Sequence, residues 1–153
     1  SFSTLVELRN EAAARVVGRF ADLFTIPETG TGTFDERVRR YVHARLQLHE
    51  VLHPLELLTR SHAVHDADTA KFVVAVRRLH ADQARQHFEA DLHPHGPARR
   101  DDMVTAIAVL TSVESWEQFR HTFGRSLVQT NRAWRAALTG IIADASADVR
   151  ETS

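Results

Sequence analysis

Apolar residues recur at intervals of three and four along most of the chain, the spacing that places them on one face of an α-helix. No stretch of the sequence alternates with the period of two that a half-buried strand requires. The pattern predicts an all-α fold of five to six helices packed as a bundle. Residues 1–144 are expected to form one domain, and residues 145–153 a frayed tail with little to bury.

Helix boundaries follow from capping and breaking residues. A first helix is predicted over residues 5–24, before a loop rich in glycine. Thr33 and Glu36 match a capping box, in which each side chain satisfies a backbone donor at the helix start, and predict the start of a second helix. Pro54 is expected to end that helix, because proline lacks the N–H that a helix interior needs. A polar loop over residues 61–68 should follow, and then a long third helix from Thr69.

The last two helices differ from the others. Residues 103–113 contain no charge and are apolar or small nearly all the way round, which predicts burial on more than one side. This helix should continue to Gly124. Ser126 and Gln129 then form a capping box for a final helix with near-heptad apolar spacing.

The amino-acid composition narrows the classes of protein to which this chain can belong. Apolar residues make up 43% of the chain and charged residues 25%, as in an ordinary globular domain. Nineteen basic against twenty acidic residues give a net charge of -1, so the chain lacks the basic field that DNA binding requires. It has no cysteine and no apolar run of membrane-spanning length. These features predict a cytoplasmic protein without a membrane partner.

One motif suggests metal chemistry. Residues 49–53 read HEVLH, and in the pattern HExxH two histidines one helical turn apart bind zinc while the glutamate acts as general base. His49 and His53 are therefore candidate zinc ligands, with Glu50 as the base. Against this, His53 precedes Pro54, which disfavours helical geometry. Two functions therefore stay open from the residues alone: a helical metal-binding protein or zinc metallohydrolase, and a structural bundle without a ligand.

The C-terminal sequence resembles a known family. Residues 108–120, reading AVLTSVESWEQFR, and the segment WRAAL at residues 134–138 look like the penultimate and last helices of TetR-type transcriptional regulators. The resemblance implies a homodimer in which these two helices and their copies form a four-helix bundle. The expected interface residues are Ile107, Leu110, Leu127, Trp134, Leu138 and Ile141. It also implies a non-enzymatic probable-repressor domain that binds DNA only through a helix-turn-helix absent from this chain.

The resemblance further implies a cavity for a small-molecule effector among the helices that precede the dimerising pair. Inward apolar and aromatic positions with a few histidines favour a mostly hydrophobic or aromatic molecule. No cofactor is expected. The candidate ligand-binding residues are Phe20, Tyr41, Leu48, His49, His62, Phe72, Val76, Trp116 and Phe119.

Overall fold

A computed structural model describes residues 4, 7–8, 11–12, 14–15, 18 and 20–151, and the side chains through position 143. These residues form an all-α bundle, as the sequence predicts, and the described part contains no strand. The α-helices are α1 (Ala21–Phe24), α2 (Phe34–Ala63), α3 (Ala67–His87), α4 (Glu89–Leu92), α5 (Pro97–Leu110), α6 (Val113–Glu117) and α7 (Leu127–Glu151). A π-helix, Gln118–Thr122, follows α6 directly.

Helix α2 begins where its capping box predicts. The amide of Glu36 donates to the Thr33 hydroxyl, and the amide of Thr33 donates to the Glu36 carboxylate at 2.8 Å. The preceding loop turns at Gly30 and Gly32, whose φ angles of 78° and 83° favour glycine. This loop lets the chain reverse into α2, which supplies ten buried residues and forms the centre of the bundle.

The prediction that Pro54 ends the second helix is wrong, because α2 continues through this proline to Ala63. Proline in a helix interior removes one backbone hydrogen bond and costs about 3 kcal/mol. Contacts on both sides of it hold the helix together: Leu52 is buried in the turn before it, and the Arg60 guanidinium beyond it pairs with Glu117 at 2.9 Å. Tertiary packing therefore overrides the local preference at Pro54.

The polar loop expected over residues 61–68 is also shorter than predicted. His62 belongs to the last turn of α2, and only the residues between Ala63 and Ala67 separate the two helices. The carboxylate of Asp66 caps α3 by accepting from the amide of Thr69 at 3.2 Å. The aspartate cap lies three residues before the predicted start, so α3 begins two residues earlier than predicted.

The helix expected to run unbroken to Gly124 is interrupted at Thr111. The Thr111 hydroxyl donates to the carbonyl of Ile107 at 2.8 Å, and the Thr111 carbonyl accepts from His49 of α2. The Ser112 hydroxyl accepts from the amide of Ser115 and so starts α6. The break arises because two side-chain hydrogen bonds at Thr111 and Ser112 replace helical ones.

Helix α7 begins at the predicted capping box, in which the Ser126 amide donates to the Gln129 side chain at 2.9 Å and the Gln129 amide donates to the Ser126 hydroxyl at 3.1 Å. It runs to Glu151, past position 144, where we expected the tail to start. Within the first predicted helix, positions 5, 6, 9, 10, 13, 16, 17 and 19 lie outside the described residues, and Ala21–Phe24 form α1. No described helix has the length and apolarity needed to cross a membrane.

Leucines at two positions of α2 test the core. Leu46 is 2% exposed and belongs to the main apolar cluster, whereas Leu58 is 56% exposed. We expect Leu46→Ala to lower the free energy of unfolding by about 2–5 kcal/mol, because the cavity it leaves adds to the lost burial. The matched Leu58→Ala should lower it by less than about 0.5 kcal/mol. Urea denaturation measures both, and equal losses would contradict this assignment of the core.

Candidate functional site

A buried arginine lies at the centre of α2. Tyr41, Arg45 and His49 are spaced by four residues, so they form one stripe on this helix, and each is at most 1% exposed. The Arg45 guanidinium carbon lies 5.2 Å from the centroid of the Tyr41 ring, within the range of a cation–π contact. A charged side chain thus occupies a position where the helix otherwise buries apolar groups.

The guanidinium of Arg45 has little compensation. Its Nη2 atom donates to the Gln83 side-chain oxygen on α3, but Nε and Nη1 have no hydrogen-bond partner, and no carboxylate among the described residues pairs with it. The other end of the Gln83 amide donates to the carbonyl of Phe24 at 2.6 Å. Because removing a charge from water is costly unless it is paired, Arg45 is a locally unfavourable feature of the folded chain.

His80 of α3 completes this cluster, which we call the Arg45 cluster: Arg45, His80 and Gln83. Burial, followed by electrostatic interactions with Arg45 and with His49, lowers the pKa of His80 from 6.5 to about 3. The ring stacks on Phe24 with centroids 6.4 Å apart, and its Nε2 atom is buried without a partner. The cluster therefore presents one charged donor group and one neutral imidazole, both incompletely hydrogen-bonded.

His49 has a different role, because both of its ring nitrogens are engaged. Nδ1 lies 3.0 Å from the Glu56 carboxylate, and Nε2 lies 2.8 Å from the carbonyl of Thr111. Both partners are acceptors, so the ring donates through both nitrogens when both bonds form. The imidazole thus fixes the break after α5 to the centre of α2.

The zinc hypothesis finds no support in this geometry. His49 has no free nitrogen, and the ring of His53 packs on Trp116 with centroids 4.6 Å apart. Glu50 accepts from the Trp116 indole at 3.2 Å and from the Arg120 Nε at 2.6 Å. Within the described part of the chain, no group of three or more metal-ligating side chains converges. The HExxH residues instead join α2 to α6 and the π-helix.

The structure separates the nine residues predicted for the ligand cavity. Four of them lie in the interior of the bundle, namely Tyr41, Leu48, His49 and Trp116. Phe119 is half-buried, with its ring 6.4 Å from that of Trp134, and Phe20 and Val76 are half-buried as well. His62 and Phe72 are exposed, so they do not face the same interior.

The six predicted interface residues also divide. Ile107, Trp134 and Leu138 are 0% exposed within a single chain, so they form its own core. Leu110 and Ile141 pack half-buried against that core, and Leu127 is 42% exposed. The apolar side chains that remain open on these helices include Val109 at 64% and Val128 at 75% exposure. Dimerisation itself stays a prediction.

Two open grooves lie on the surface, and neither contains a residue predicted for the ligand cavity. One follows α3 and is lined by Ala70, Lys71, Val74, Ala75, Arg78, Leu79 and Asp82. The other lies between α2 and α7 and is lined by Arg39, Arg40, His43, Asn131 and Arg135. Arg39 pairs with Asp35 at 2.9 Å, so part of the basic charge beside the second groove is already neutralised.

Sequence reasoning missed Arg45, His80 and Gln83. A signal for Arg45 was present, because it lies four residues after Tyr41 and four before His49, on the stripe expected to be buried. A charged residue in such a stripe is a stronger functional indication than any of the apolar positions. No comparable signal marks Gln83, whose role depends on the packing of α3 against α2.

Comparisons of the chain with protein-family models, with curated proteins and with solved structures found no match. The functional interpretation therefore depends on the residues and their geometry.

Histidine burial predicts a pH dependence of stability. His80 stays neutral in the folded protein down to about pH 3, whereas in the unfolded chain it takes a proton near pH 6.5. The contribution of neutral His80 to the free energy of unfolding is therefore complete above pH 6.5. As the pH falls below 6.5, the unfolded chain binds a proton that the folded protein does not, and the free energy of unfolding decreases by up to about 1.4 kcal/mol per pH unit. Thermal melting between pH 7.5 and pH 5 should show this loss.

The matched variants are His80→Phe, which removes the titrating group from the interior, and His62→Phe, which removes an exposed histidine. We expect the first to flatten the pH dependence and the second to leave it unchanged. Burial also lowers the pKa of His87, so some dependence should persist in His80→Phe. An identical slope in wild type and His80→Phe would contradict the assignment.

Proposed function

We propose that this chain is the ligand-binding and dimerisation domain of a TetR-type transcriptional regulator, a cytoplasmic and non-enzymatic sensor of a small molecule. The sequence resemblance over residues 108–120 and 134–138 supports the family. That resemblance covers only the two C-terminal helices of such regulators. The proposal therefore concerns the regulatory half of the mechanism.

One observation carries the proposal: α5 and α7 each bury one side in the core and also leave apolar side chains exposed. On α5, Met103 and Ile107 are buried while Val109 and Ala106 are exposed. On α7, Trp134 and Leu138 face the core, and the exposed positions include the small residue Ala136. Small and apolar side chains allow helices to approach closely, so α5 and α7 of a second copy would pack well against these exposed residues.

The interior supplies the second part of the proposal. Aromatic side chains from α2, α6 and α7 meet between the central helix and the pair that would dimerise, with the rings of His49 and Trp134 6.3 Å apart. A hydrophobic or aromatic molecule among these helices would contact α2 and α7 at once. Its binding would then change the separation of the two DNA-reading heads in the dimer, which is how one site influences another.

Charge on the uncovered sides tests the dimer. We expect the wild-type protein to sediment as a dimer at micromolar concentration, and Val109→Glu combined with Ala136→Glu to sediment as a folded monomer, because the carboxylates would be buried without partners. The matched control is Ala75→Glu, at an exposed alanine of α3, which should remain dimeric. Circular dichroism should give the same helix content for all three proteins.

A wild-type monomer at these concentrations would remove the dimerisation half of the proposal. The sensing half is tested separately, because a true effector must raise the melting temperature of the folded domain. A thermal-shift screen of hydrophobic and aromatic molecules in which nothing stabilises the protein would favour a bundle without a ligand.

A further inference from the structure

We propose that the Arg45 cluster is the anchor for an anionic head group, so that the small molecule bound by this domain is an apolar or aromatic monocarboxylate. The inference rests on the proposed ligand-binding function and adds the chemical class of the ligand. It goes beyond the expectation of a merely hydrophobic molecule, which the aromatic interior alone suggests.

The unpaired charge is the first argument. Arg45 is 0% exposed, two of its three guanidinium nitrogens have no partner, and its one side-chain acceptor is the neutral amide of Gln83. By contrast, the buried Arg37 on the same helix has both oxygens of Asp91 at 3.1 Å from Nη2, and its Nη1 donates to the carbonyl of Gly32 at 2.6 Å. The fold therefore pairs one buried arginine with a carboxylate, although its Nε has no partner, and leaves the other without any carboxylate among the described residues.

His80 strengthens the case for a carboxylate. Its Nε2 atom is buried without a partner, and its ring stays neutral at physiological pH, since burial lowers its pKa to about 3. A neutral imidazole donates one hydrogen bond without adding a second charge. A carboxylate between the two side chains would accept from the guanidinium and from the imidazole, while its single negative charge would balance Arg45.

Access to the cluster leads past α1. The Gln83 side chain connects the Arg45 cluster to α1, because its oxygen accepts from Arg45 and its nitrogen donates to the carbonyl of Phe24. The Phe24 ring stacks on His80. Helix α1 has four residues, none of them buried, and no side-chain cap. Displacement of this short segment, none of whose residues is buried, would open a path toward His80 and Gln83. An entering carboxylate would take the place of the Gln83 oxygen.

The experiment compares carboxylates with their uncharged amides. Benzoate, phenylacetate, naphthoate and octanoate are titrated into the wild-type protein by calorimetry, and each is matched by its carboxamide at the same pH. We expect at least one acid to bind at least about thirtyfold more tightly than its amide, the factor that corresponds to losing one partner of a buried charge pair.

Three variants assign the effect. Arg45→Met keeps the volume and removes the charge, so it should lose the thirtyfold preference for the acid. Arg45→Lys should keep part of it, and Arg39→Met, at an exposed arginine, should keep all of it. Without a ligand, Arg45→Met should melt no lower than the wild type, because an uncompensated charge has been replaced by an apolar side chain.

Several results would overturn the inference. One is equal affinity for acids and amides, which would leave ligand sensing intact but exclude the anionic class. Others are the absence of binding by every acid in the panel, or a preference that survives in Arg45→Met. A melting temperature of Arg45→Met far below the wild type would show that the free protein already neutralises the guanidinium. Failure of the proposed function is distinct, since a wild-type monomer would remove the dimer without affecting any of these titrations.

Discussion

The hydrogen bond from His49 Nε2 to the carbonyl of Thr111 fixes the relation between the two halves of the bundle. A helix end leaves backbone carbonyls without intrahelical partners, and burying one of them requires a side-chain donor. His49 supplies that donor from the middle of α2, and Tyr41, two turns earlier, places its hydroxyl 3.3 Å from that of Thr111. Because α2 holds the break from both positions, α5 and α6 can change direction inside the protein without an unsatisfied carbonyl.

The two buried arginines of α2 differ in their partners, because Arg37 is paired with a carboxylate and, among the described residues, Arg45 is not. Arg37 lies beside Asp91 and a loop carbonyl, so its guanidinium links α2 to the loop and to α4. Arg45 has no such carboxylate, although aliphatic side chains of similar volume would fill its position at lower free energy. A residue that weakens the folded state locally is retained most simply for what it binds, and this reasoning favours a ligand over a structural role for the Arg45 cluster.

The sequence predicted the fold class well because its signals were local. Two capping boxes, at Thr33 and at Ser126, started helices where the structure has them. The near-heptad pattern identified Trp134 and Leu138 as apolar contact positions, but they were assigned to a dimer interface and the structure buries them in the core of the single chain. The errors came where distant contacts override local preference. Helix α2 passes through Pro54 because tertiary packing holds both of its ends, and the break at Thr111 depends on a histidine 62 residues away. The sequence placed Tyr41 and His49 inward, four residues on either side of Arg45, but it singled out neither Arg45 nor Gln83, whose contact depends on the packing of α3 against α2.

In the proposed sensor, the hydrogen bond between His49 and the Thr111 carbonyl connects the interior of the bundle to its surface. Arg45 lies one turn before His49, and the His49 ring meets the edge of Trp134 on α7 as well as the carbonyl after α5. Packed cores do not deform continuously, so a shift of α2 that accommodates a ligand must be taken up at these contacts. Both lead to α5 and α7, whose outer sides carry the uncovered apolar residues. One imidazole thus joins the unpaired charge in the interior to the surface on which a second copy would pack.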